Sequence, residues 1–109
     1  MITIDDYLRS MEKTFVPQRA RGKHAVLQYV FSGSQTGACY AVIDDGCLRV
    51  ARGEHPAPTA TVYCDFDLFL RIVAYEEDGL LAYEDGKYRI EGDILALMES
   101  DTWFDRAPR

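Results

Sequence analysis

The chain has 109 residues, 48% of them hydrophobic and 28% charged, with a net charge of −6 at neutral pH. That length suits one hydrophobic core and therefore one domain spanning residues 1–109, and the acidic balance repels polyanions, which excludes nucleic acid as an expected partner. No apolar run approaches the roughly 20 residues that span a bilayer.

The opening Met1-Ile2-Thr3-Ile4-Asp5-Asp6 has neither the basic start nor the apolar core of a secretory signal, and the terminal Ala107-Pro108-Arg109 is not the peroxisomal address Ser-Lys-Leu. The expected location is cytoplasmic. Thr3 reads as the N-cap of a first helix, with Asp6 as capping-box partner and Ile2 placed to staple against Tyr7. Ile4, Tyr7, Leu8, Met11 and Phe15 then recur at helical spacing until Pro17 limits the helix. From Arg9 to His24 the basic residues Arg9, Lys13, Arg19, Arg21 and Lys23 face the single acid Glu12, a local +4 that leaves −10 for the rest of the chain. This cluster is either a solvated helix end and loop or a docking patch for a membrane head group or acidic partner.

Ala25, Leu27, Tyr29 and Phe31 alternate with His24, Val26, Gln28 and Val30 and predict a long strand, closed by the turn Ser32-Gly33-Ser34-Gln35-Thr36-Gly37. A second strand runs from Ala38 to about Ile43, and Asp44-Asp45-Gly46 predicts a hairpin returning over Cys47 to Arg52. Gly53 to Pro58 is a loop, and Ala60 to Cys64 a short strand. Asp65 caps a helix in which Phe66, Phe69, Leu70 and Val73 form one apolar stripe and Leu68, Ile72 and Tyr75 another, so a second cover is required. Leu80-Leu81-Ala82-Tyr83 is a short apolar helical turn. Gly86-Lys87-Tyr88-Arg89-Ile90-Glu91-Gly92-Asp93 is a strand that hands over, with Asp93 as N-cap, to the apolar helix beginning Ile94-Leu95-Ala96-Leu97-Met98. Helices on one side of a mostly antiparallel sheet make the fold class α+β.

Enzymatic signatures are missing: the chain carries no nucleophile elbow, dinucleotide fingerprint, phosphate-binding loop or zinc-protease motif. His24 and His55 have no serine or cysteine beside them in sequence. The three cysteines, Cys39, Cys47 and Cys64, are odd in number and form no C-x-x-C pair, which argues against a disulfide framework and a standard zinc site, so they read as small hydrophobes on strand faces, and neither metal nor cofactor is implied. What stands out is apolar surface beyond the needs of one sheet face. It is closed either by core packing and a homodimer or partner interface, or by a cavity around a lipid-like ligand.

The ordered set of an aromatic-ended strand with a Ser-Gly turn, an Asp-Gly hairpin, Leu48-Arg49-Val50 before a Gly- and Pro-containing loop, a strand capped into an apolar helix, and Gly86-Lys87 through Gly92-Asp93 resembles the sterol carrier protein type two family from about Val26 to Phe104. The resemblance implies a five-stranded, mostly antiparallel sheet covered by helices that enclose an apolar tunnel for sterols, fatty acids, fatty acyl-CoA or other lipids, with no catalytic residues. It places the tunnel wall on Phe66, Phe69, Leu70 and Val73, on Leu80 and Leu81, and on Ile94, Leu97, Met98, Trp103 and Phe104. Gly79 stands where the family commonly has a proline.

Overall fold

The computed structural model describes residues 1–105; the terminal Ala107-Pro108-Arg109 lies outside the described residues. Helix α1 (Ile4–Thr14) is followed by a 3₁₀ turn (Pro17–Ala20), strands β1 (His24–Ser32), β2 (Gly37–Asp44), β3 (Cys47–Arg52) and β4 (Ala60–Asp65), helices α2 (Phe66–Val73) and α3 (Gly79–Glu84), strand β5 (Arg89–Gly92), helix α4 (Ile94–Ser100) and a final 3₁₀ turn (Asp101–Trp103). The five strands lie in the order β3-β2-β1-β4-β5. β1 pairs antiparallel with β2, as β2 does with β3 and β4 with β5, while β1 and β4 run parallel. The sheet is therefore mostly antiparallel, as expected.

Local chemistry sets the element ends. Thr3 and Asp6 form a capping box on α1, each accepting from the other's backbone N–H. Ile2, just before the cap, is 56% exposed. In the β2–β3 turn Asp45 and Gly46 have φ of 49° and 81°, the mirror-image turn whose twist matches the flanking strands, and Asp44 sits opposite Cys47. Asp65, Asp78 and Asp93 each cap a helix by accepting backbone N–H groups, from Leu68, from Leu80 and Leu81, and from Ala96. Helix α2 ends earlier than its apolar stripe, because Tyr75 turns left-handed at φ 60° and the N–H groups of Glu76 and Glu77 both return to the Arg71 carbonyl.

Register puts Ala25, Leu27, Tyr29 and Phe31 on one sheet face beside Cys39, Ala41 and Ile43 of β2 and Val62 and Cys64 of β4. All are buried, and they form one core with Ile4, Tyr7, Leu8 and Met11 of α1 and Phe66, Leu68 and Phe69 of α2. Tyr7 stands edge-on to Tyr29, Phe31 and Phe69, with ring centroids 5.8, 6.3 and 4.9 Å away. On the opposite face the β3–β4 loop folds back: Gln28 accepts from the His55 N–H at 2.6 Å, and the His55 ring meets Tyr40.

Candidate functional site

Between α2, α3, α4 and the β4–β5 end of the sheet lies a cavity of about 680 Å³, within the size range of small-molecule sites. Its deep wall is built of Tyr7 from α1, Tyr29 from β1, Val62 and Cys64 from β4 and Phe69 from α2, all no more than 7% exposed. Ile72 and Val73 continue the α2 side one turn on, Tyr88 just before β5 and Ile90 within it form the floor, and Ile94, Leu97 and Met98 of α4 close the flank. The helical spacing i, i+3, i+4 aims each of these triplets, 69-72-73 and 94-97-98, to one side. Tyr75, Glu76, Asp78, Leu80, Met98 and Asp101 are exposed and form the rim.

The structure thus brings together Phe69, Val73, Leu80, Ile94, Leu97 and Met98 of the expected wall. The other five lie elsewhere. Phe66 is fully buried in the core, its ring edge-on to Phe31 at 5.0 Å, and Leu70 packs half-buried against that core. Leu81 is 58% exposed, because the short α3 can point only one of two successive leucines at the cavity rim. Trp103 and Phe104 turn away toward the end of α1: the Val16 N–H donates to the Trp103 carbonyl at 2.8 Å, and Phe15 and Phe104 form a bridge with rings 5.4 Å apart. The strand contributions Tyr29, Val62, Cys64 and Ile90, with Tyr88 beside β5 and Tyr7 of α1, were not singled out as cavity wall by the sequence. Their alternation or helical spacing marks an inward face and does not separate core from cavity wall.

Two hydroxyls in the wall donate to backbone carbonyls. The Tyr88 hydroxyl donates to the Gly79 carbonyl at 2.9 Å, and the Ser100 hydroxyl to the Leu97 carbonyl at 2.6 Å. Burial pushes the Cys64 thiol up to about 12 and raises Tyr88 as well, so both stay protonated at neutral pH. At the mouth Glu77 accepts from Lys87 and Arg71, each at 3.2 Å, and these two cations hold its carboxyl below the usual range. Neither histidine reaches the cavity: His24 pairs with Asp44 at 2.9 Å, and His55 lies on the other sheet face. Of the basic cluster, Arg9 pairs with Asp6, and Lys23 with Glu99 at 2.6 Å. Among the described residues no group of three or more His, Cys, Asp or Glu could hold a metal ion, and no helix is long and apolar enough to cross a membrane.

Five strands carrying their helices on one face around an apolar cavity define a small α+β domain of the carrier type. The model of the SCP-2 sterol transfer family matches residues 5–105, and the chain belongs to that family. Among solved structures it is similar to the palmitated SCP2L2 of Aedes aegypti (18% identity, TM-score 0.70, covering 91% of this chain and 93% of that one) and to apo sterol carrier protein 2 of Yarrowia lipolytica (15%, TM-score 0.64, 91% and 73%). It is also similar to part of the stereoselective inverting sec-alkylsulfatase Pisa1 from Pseudomonas sp. (22%, TM-score 0.86), where 95% of this chain spans only 16% of the sulfatase. Identities this low show the fold alone. Among curated proteins none matches this chain.

Proposed function

We propose that the protein binds, and passes on, a hydrophobic ligand whose apolar chain lies in the cavity between α2, α3, α4 and the sheet, without catalysing a reaction on it. The observation that carries this is the cavity itself, about 680 Å³ walled mainly by aliphatic and aromatic side chains. Each methylene moved from water into such a wall contributes about 0.8 kcal/mol, so a chain of several carbons binds without a polar anchor. Phe69, Val73, Leu80, Ile94, Leu97 and Met98 contact it, with Tyr29 and Val62 at its inner end. Membership of the family and the palmitated state of the mosquito relative support an acyl- or sterol-like occupant. The Cys64 thiol of the deep wall stays protonated, which is in keeping with a role without covalent chemistry.

Native mass spectrometry of freshly purified protein, followed by solvent extraction, tests the reading. A stoichiometric lipid adduct is expected. A bare mass that stays bare after addition of fatty acid, acyl-CoA and sterol overturns it.

A second reading rests on Leu81 and Leu95, which are 58% and 77% exposed beside the rim. Such side chains fit an interface with a second copy or a larger partner, and the likeness to one portion of the sulfatase is in keeping with a domain that works inside a larger assembly. Mass measured by sedimentation across a wide concentration range separates the two readings: self-association that disappears in Leu95→Glu favours the second.

A further inference from the structure

The inner end of the cavity is made of rings. Tyr7 from α1, Tyr29 from β1 and Phe69 from α2 all line it, and they stand edge-on to one another, with centroids 5.8 Å apart for Tyr7 and Tyr29, 4.9 Å for Tyr7 and Phe69, and 5.4 Å for Tyr29 and Phe69. Three separate elements thus lock one another, because no ring turns without displacing the other two. Behind them Phe31 stacks on Tyr29 at 6.0 Å and meets Phe69 at 5.0 Å, and Phe66 meets Phe31 at 5.0 Å. Phe31 and Phe66 are 2% and 0% exposed and belong to the core, not to the lining. The outer end is different in kind: Leu80 and Met98 are exposed there, and an unbranched thioether adapts to its neighbours. One end is stiff and closed, the other soft and open.

We infer that Tyr7, Tyr29 and Phe69 form an end stop that sets the length of chain the protein accepts, and that Phe69 is the residue dividing the cavity from the core space of Phe31 and Phe66. This rests on the reading that an apolar chain occupies the cavity. A chain that enters between the α2–α3 loop and α4, tail first, ends against the rings. Every methylene added before that point exchanges water for apolar wall. A methylene added beyond it either pushes into close-packed rings, which costs free energy as any overpacking does, or stays in water at the rim and contributes nothing.

The test uses straight-chain fatty acids of roughly 8 to 18 carbons, a span over which each buried methylene adds to binding. Each is kept below its micelle concentration and displaces a fluorescent alkyl probe from the wild-type protein and three variants. In wild type the affinity is expected to rise about fourfold per methylene and then to stop rising at one chain length. Val62→Phe adds a ring at the inner end and should move that break to shorter chains, whereas Phe69→Leu removes a ring and should move it to longer ones. Leu95→Glu, on the exposed side of α4, should leave it in place. Val62→Phe fills open space, so it carries the test even if Phe69→Leu folds poorly. An affinity that climbs through the whole series, or a Val62→Phe variant that loses affinity equally at every length, overturns the end stop while leaving the apolar cavity standing. Displacement by none of the chains overturns the cavity reading itself.

Discussion

Gly92 shows how one residue fixes the join on which the cavity depends. Its φ is 92°, and a Cβ placed there would lie 2.5 Å from the Thr59 carbonyl oxygen and 3.1 Å from Ala60 Cα, both backbone atoms that cannot swing away. A glycine lets β5 close against β4 and release the chain into Asp93, whose N–H donates to the same Thr59 carbonyl at 2.9 Å. Gly92→Ala should therefore cost about 1–3 kcal/mol, the range for a strained left-handed position, and urea denaturation should show its midpoint fall with an unchanged slope. The cysteines divide at the same scale. Cys39 and Cys64 are buried, and burial pushes both thiols up to about 12, whereas Cys47 is exposed on the edge strand. One of the three should react with a thiol reagent in the native protein at neutral pH, and all three in denaturant, as counted by mass. In the unfolded chain these thiols ionise near 9, their ordinary value. The folded state binds protons that the unfolded state has released, so this stabilisation is complete below that pH and is lost as pH climbs toward 12. The melting temperature should accordingly fall above about pH 9, and Cys39→Ala should flatten the fall if it folds natively.

At the scale of elements, α4 is the informative case. Five successive apolar residues open it, and a reading of composition demands cover in every direction. The structure covers the helix only in part: Ile94 and Leu97 turn to the cavity, Met98 stands on its rim at 57% exposure, and Leu95 is 77% exposed. A charge at two positions of this helix should have opposite consequences. Leu97→Glu places a carboxylate in the wall and should weaken binding of a fluorescent alkyl chain by at least about tenfold, since a charge on an apolar wall cannot be desolvated cheaply. Leu95→Glu should leave that binding within error and stability within about 0.5 kcal/mol, as for ordinary surface sites. Helix α2 teaches the complementary lesson. Its two stripes both required cover, and they receive it from different sources: Phe66 and Leu68 from the core, Phe69, Ile72 and Val73 along the cavity, and Tyr75 only in part from the rim.

Across the whole molecule, most of the fold was legible in the sequence because local chemistry states it outright. The Asp-Gly hairpin, the capping aspartates at positions 65 and 93, and the alternation of β1 each have one physical solution, and the structure adopts it. The parallel pairing of β1 with β4 was less legible, since it depends on how a long connection crosses the sheet. The cavity was half legible. Core and cavity wall use the same residue types, so Phe66 and Trp103 read like Phe69 and Leu97 until packing separates them. Bulk near the C-terminus gave no hint that Trp103 and Phe104 would fold back on Phe15 and Val16. Conversely, Tyr7, Tyr29 and Val62 read as ordinary core because their cavity exists only once α3 and α4 stand off from the sheet.

The most direct test of the account places a reporter on the ligand. A neutral alkyl chain carrying a nitroxide at its far end, added at one equivalent to isotope-labelled protein, broadens the NMR signals of residues near that end. The account predicts the strongest loss of signal at Tyr29, Val62 and Cys64, with Asp45 and Cys47 at the far end of the β2–β3 hairpin least affected. Broadening confined to the exposed Leu81 and Leu95, or none at all, would contradict it.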